Sequence, residues 1–179
     1  MMLLFRLLAA VLVVGASAAP AFADATSDVY SAMAGFQKLH SFHMDVTTRA
    51  GHISADTVKP DRMHVVTPHG ETYIIGPMMY MKLHGTWRKL PGAGANVLSI
   101  GDFARNTEST RGQYVATDLG TVVVDGAPLH AYQVKKKASG KDETKIFVDS
   151  RGRVTRIETA TTVARISKFD EPMTIQPPI

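Results

Sequence analysis

Residues 27–47 read SDVYSAMAGFQKLHSFHMDVT, and the hydrophobic period changes inside this stretch. Up to Leu39, the apolar residues Val29, Ala32, Met33, Phe36 and Leu39 recur at helical spacing. This predicts an amphipathic helix over 27–39, with Thr26 or Ser27 as its cap. After His40 the period falls to two: Phe42, Met44 and Val46 alternate with His43, Asp45 and Thr47. Such alternation belongs to a strand with one apolar face. A helix therefore runs straight into a sheet.

The sheet continues C-terminally. Ala50-Gly51 turns the chain, and strands follow at 53–58, 62–67, 71–75, 79–83 and 86–90, parted by short turns such as Pro68-His69-Gly70 and His84-Gly85. Connections this short make an antiparallel meander, because parallel strands need long crossovers. Pro91-Gly92-Ala93-Gly94-Ala95 then reads as a flexible loop, and 96–105, with Val97, Leu98, Ile100 and Phe103, as a short helix. Glycines 92 and 94 suit a hinge, which would make this helix a movable lid. Strands resume at 114–117, 121–124, 129–137, 144–149, 153–159 and 163–169. The fold class expected is α+β and mostly β, with about ten or eleven antiparallel strands; a sheet that long tends to curl. Curling makes a concave apolar face, and the two helices are its available covers.

Toward the N-terminus, residues 1–23 are apolar except for Arg6, Gly15, Ser17 and Pro20. A short start with one positive charge, the apolar run Leu7–Val14 and the small residues of Ala21-Phe22-Ala23 have the layout of a secretory signal. Cleavage is expected between Ala23 and Asp24, leaving 24–179 as one exported, periplasmic domain. The run is too short for a membrane span. The chain has no cysteine. That excludes disulfides, thiolate metal sites and a cysteine nucleophile, and with them a lipid anchor on cysteine.

Polar chemistry is sparse. The net charge of +4 is spread over both signs and gives no sign of nucleic-acid binding. The seven histidines are scattered over strands and turns with no carboxylates at ligand spacing, so no metal is expected. There is no G-x-S-x-G elbow, and no serine, histidine and carboxylate set marks an enzyme. Gly92–Asn96 opens a helix but lacks the lysine of a phosphate loop, so no cofactor is expected either. Lys135-Lys136-Lys137, with Lys141, Arg151 and Arg153, is a basic region that reads as a solvated hairpin end or as a contact for anionic lipid or a partner protein. The more informative residues are apolar. Met63, Met78, Met79 and Met81 crowd into 63–81, and the strands at 71–75 and 79–83 are apolar on both faces. An ordinary core accounts for this, and so does a cavity for acyl chains.

Several short motifs resemble the LolA-type periplasmic lipoprotein carriers. They are Asp24–Asp28 with its helix, Ser41-Phe42-His43 opening the first strand, Val58-Lys59-Pro60 before the strand at 62–66, the turn Arg151-Gly152-Arg153-Val154, and Met173–Pro178. The likeness spans most of 24–178 and includes the order of elements. It implies an unclosed β-barrel with a helical lid, a hydrophobic cavity that receives acyl chains of lipids or lipoproteins, no enzymatic activity, and membrane-bound donor and acceptor proteins. The cavity wall is then expected to draw on Phe42, Met44, Val46, Met63, Val65, Tyr73, Ile75, Met79, Met81, Trp87, Leu98 and Phe103, with Lys59 and Arg62 as polar contacts at its mouth. The carriers place arginine where Lys59 stands, and they continue beyond the proline pair that precedes Ile179. A non-enzymatic envelope-sensing or regulatory domain without a permanent lipid is therefore the alternative to a carrier.

Overall fold

A computed structural model describes residues 24–91, 112–138 and 143–179. The export segment 1–23, the hinge and helix expected over 92–105 (with Leu98 and Phe103) and Lys141 lie outside the described residues. The helix α1 spans Ala25–Lys38, and eleven strands follow it. The first six are β1 (Ser41–Thr48), β2 (Gly51–Val58), β3 (Arg62–Thr67), β4 (Gly70–Ile75), β5 (Met78–Leu83) and β6 (Thr86–Pro91). The others are β7 (Tyr114–Val124), β8 (Ala127–Lys136), β9 (Glu143–Val148), β10 (Val154–Glu158) and β11 (Thr162–Ser167).

The cap of α1 lies just before the expected one. The Asp24 carboxylate accepts the Thr26 N–H at 3.1 Å, a contact that suits the positive end of the helix. Thr26 instead uses its hydroxyl to accept the N–H of Ala116, on β7. At the other end, the Lys59 ammonium donates to the carbonyls of Phe36 and Gln37 at 3.4 and 2.5 Å. Both carbonyls lie in the last turn of the helix, where a cation suits the negative end of the helix dipole, and that of Phe36 also accepts the Leu39 N–H at 3.3 Å.

All eleven strands form one open antiparallel sheet in the order β6-β5-β4-β3-β2-β1-β11-β10-β9-β8-β7. Two meanders are joined by one non-local pair, in which Met44 faces Ile166 and Val46 faces Ala164. β6 and β7, consecutive in the chain, are the two opposite edges. The two strands expected over 114–124 are a single one. The register shifts between Asp118 and Gly120, Gly120 has φ +76°, and the Asp118 carboxylate accepts the Gly120 N–H. The glycine thus makes a bulge inside β7 where a break between two strands was expected.

One cluster of buried side chains holds Val29, Ala32, Met33 and Phe36 of α1 against residues of β1, β8, β9, β10 and β11, with Tyr114 and Ala116 of β7 at its border. Those six strands are neighbours. Laid flat they would span about 24 Å, at ~4.8 Å per strand, whereas a helix is only about 10 Å wide. For side chains of all six to join one buried cluster with the helix, the sheet must bend around it, which is the strong curl expected from its length. Tyr132 ties the layers together, its hydroxyl donating to Asp28 at 3.4 Å. Burial first, then the Asp28 charge, pushes the Tyr132 pKa up to about 12, so the donor keeps its proton.

Met33 is fully buried at the centre of this layer. Truncating it leaves a cavity against six strands, so Met33→Ala is expected to lower unfolding free energy by about 2–5 kcal/mol, measured by urea denaturation. A loss under ~1 kcal/mol would mean that α1 does not anchor the sheet.

Candidate functional site

α1 settles which face is concave. Its side chains meet Phe42 and Met44, and the strand registers carry that assignment across the sheet. One cross-strand row runs Phe42–Thr57–Met63–Ile74–Met79–Leu90. The next runs Met44–Ala55–Val65–Thr72–Met81–Arg88. From β2 outward these rows form their own buried cluster of Ala55, Met63, Val65 and Ile74, bordered by Ile53 and Met79. No residue of α1 belongs to it. Five strand spacings make the first row about 24 Å long. Within it, Thr57 is 8 % exposed, and among the described residues its hydroxyl is the buried side-chain group without a hydrogen-bond partner. Such a group costs about 1–3 kcal/mol unless something bonds to it.

Seven of the residues expected to line a cavity therefore share the concave face: Phe42, Met44, Val46, Met63, Val65, Met79 and Met81. Tyr73, Ile75 and Trp87 do not. Tyr73 pairs with His64, Ile75 with Arg62, and Trp87 with Lys82, all on the convex face. β4 and β5 thus put apolar side chains on both sides, Ile74, Met79 and Met81 on the concave and Tyr73, Ile75 and Tyr80 on the convex. Sequence reasoning passed over Ile74, Ala55 and Thr57, although alternation with Met63 and Val65 points to all three once the face is known.

The convex face is polar and paired. His43 sits between Asp56 at 2.7 Å and Asp45 at 3.1 Å. His52 reaches the other oxygen of Asp45 at 3.1 Å, and His64 meets Glu71 at 2.9 Å. Tyr73 stacks on His64, ring centres 4.2 Å apart, and Trp87 places its edge on Tyr73. The strand register brings Asp56 to His43 and Glu71 to His64, while Asp45 reaches His43 from two residues along the same strand. Among the described residues, no group of three such side chains is arranged to hold a metal ion.

The C-terminal run crosses this face. The Asp170 carboxylate accepts the His40 N–H at 2.6 Å and the Ser41 N–H at 3.4 Å. The Ser41 hydroxyl donates to the Glu171 carbonyl at 2.7 Å, and Arg62 donates to the carbonyl of Ile175 at 2.8 Å. Lys168 and residues 171–176, with Asp56, His64 and Tyr73, enclose a groove of about 590 Å³. Arg62 thus fastens the strap on the convex side, and Lys59 ends the helix. Burial lowers the Lys59 pKa, with Asp170 pulling the other way. Neither cation lies in the concave rows. Part of the expected basic region is also engaged. Lys135 pairs with Glu143 at 2.6 Å, and Arg153 pairs with Asp149 at 2.7 Å while lying over Phe169.

By sequence, the chain matches no protein-family model and no curated protein. Its structure is similar to that of the lipoprotein LppX of Mycobacterium tuberculosis, at 15 % identity and TM-score 0.61, over 84 % of this chain and 97 % of that one. It is also similar to LprF of Mycobacterium bovis, at 17 % identity and TM-score 0.60, over 86 % and 96 % of the two chains. At these identities the likeness establishes the fold. The chain has the LolA-like fold, a curled, unclosed antiparallel sheet around a helix. None of the helices among the described residues is long and apolar enough to cross a membrane.

The His40 N–H, ahead of the other contacts, holds the Asp170 carboxyl below its ordinary pKa. A carboxyl depressed in the folded state contributes fully at neutral pH, and that contribution is lost as pH falls through the folded pKa. The His40 and Ser41 amide resonances are expected to titrate together in NMR spectra with a midpoint below the ordinary aspartate value, and Asp170→Asn should abolish the step. A midpoint above that value would break the link between this carboxylate and the strap.

Proposed function

We propose that the concave rows bind an acyl chain of a lipid or lipoprotein, and that the protein carries such cargo between membranes of the cell envelope without performing a catalytic step. The observation that carries this reading is the largely apolar row that starts at Phe42, under α1, and runs on through Met63, Ile74 and Met79 to Leu90, beyond the cluster formed by the helix. A bilayer's hydrocarbon core is about 30 Å thick, so one leaflet's chain reaches about 15 Å, well within the length of the row. The flexible thioethers of Met63, Met79 and Met81 suit chains of varied shape. The Thr57 hydroxyl offers one donor to an ester or amide carbonyl, where it would gain the partner it lacks in the protein. The export signal read in residues 1–23 supports a periplasmic location, and the LolA-like fold agrees with both points. Membrane-bound donor and acceptor proteins complete this reading.

Burial drives the binding, at about 0.8 kcal/mol per methylene. With delipidated protein and a homologous series of fatty acids, affinity measured by displacement of a fluorescent analogue is expected to rise about four-fold per added CH₂ until the row is filled. Met81→Glu should weaken every member of the series while leaving the far-ultraviolet circular dichroism spectrum unchanged. Thr57→Val removes an unpaired hydroxyl, so it should preserve or raise stability and yet cost an acyl ester up to ~10-fold in affinity. Absence of binding across the whole series would replace the carrier by a regulatory domain without a lipid ligand.

A further inference from the structure

The hairpin of β5 and β6 differs in charge from the rest of the sheet. Residues 72–91 contain no acidic side chain but carry Lys82, Arg88 and Lys89. β6 is an edge strand. Leu83 and Leu90 are 44 % and 38 % exposed there, and Trp87, the chain's single tryptophan, stands on the same strand. The two lysines are held rather than splayed. The Lys82 ammonium lies 5.7 Å from the centre of the Trp87 ring, and that of Lys89 lies 5.7 Å from the centre of Tyr80. Their stems cover aromatic surface while the charges stay at its rim. His84 and Gly85 have φ +50° and +81°, the tight hairpin geometry that presents this tip as one unit.

The opposite edge has the other chemistry. Val115, Leu119 and Val123 of β7 are exposed, but the charged residue of that strand is Asp118. Asp125 just beyond it is bound by Arg156 and Arg165. The two apolar edges thus differ: the acids at β7 are paired with His130, Arg156 and Arg165, whereas the β5–β6 edge carries cations without an acid on its own hairpin and matches an anionic surface.

We propose that the β5–β6 edge docks on a bilayer containing anionic lipid. Lys82, Arg88 and Lys89 meet the headgroups, and Leu83, Trp87 and Leu90 enter the interface. Mixed cationic, aromatic and aliphatic side chains are what such an interface selects. Leu90 also ends the first concave row and Arg88 the second, so docking here presents the open ends of both rows to the membrane. The inference stands on the edge alone and holds whether or not those rows take an acyl chain.

The test uses the exported protein and vesicles of phosphatidylcholine with or without phosphatidylglycerol, at low and high salt. Sedimentation is expected with the anionic vesicles alone and should weaken as salt rises. Trp87 emission should shift to the blue on binding and be quenched by brominated lipid. Replacing Lys82, Arg88 and Lys89 together by glutamine should lower the partition coefficient on the order of 100-fold, from ~1 kcal/mol per cation. The double variant Lys136→Gln with Lys137→Gln should bind like the wild type. Binding that ignores lipid charge, that survives the triple substitution, or that leaves Trp87 emission unmoved would overturn the proposal. So would an absence of vesicle binding, which would leave this edge to a protein strand. Fatty-acid affinity measured on the same triple variant separates this outcome from failure of the concave site.

Discussion

The contact of Met33 and Phe36 with Phe42 and Met44 is the constraint on which the rest of the molecule depends. It is made by residues close in sequence, at the point where the helical period gives way to the strand period. Once the helix lies on that face of β1, hydrogen-bond register assigns every other strand an inside and an outside. Six strands must then converge on one helix, and bending is the only way for them to do so. The concave face, its two apolar rows and the convex polar surface are all consequences of that one placement.

Much of this was legible in the sequence because it is local. Period and turn residues located α1 and most of the strands, and short connections made the sheet antiparallel. The break expected between 117 and 121 is a bulge because a glycine with positive φ can shift the register without ending the strand. The pairing of β1 with β11 left no local trace, since each strand alternates in the same way whatever its neighbour. The face of Tyr73, Ile75 and Trp87 was unreadable for a related reason. A strand that is apolar on both sides has no phase, and only its register with Met63 and His64 decides. The role of Lys59 was hidden too, because a capping ammonium comes from a residue some twenty positions after the carbonyls it meets.

The two faces solve different problems. On the convex side, polar side chains find partners across strands: Asp56 lies opposite His43, and Asp170 closes the end of the strap. On the concave side the material is apolar, and the Thr57 hydroxyl has no hydrogen-bond partner among the described residues. A sheet that satisfies its polar groups so thoroughly on one surface makes an unpaired hydroxyl on the other conspicuous. Exposed Leu90, at the end of the same row, marks where that surface meets solvent.

The seam between β1 and β11 also governs the order in which this chain can assemble. Met44 and Ile166 are partners with roughly 120 residues between them. The first meander, β1 to β6, is built from neighbouring hairpins, but α1 draws most of its cover from β8 to β11. A chain emerging N-terminus first therefore has its helix ready long before the strands that bury it. Long-range closure of this kind is slow, and here it must wait for the last strand to arrive. Until then Met33 and Phe36 have no finished surface to settle on. The topology thus leaves the helix without its full cover until the last strand has been made.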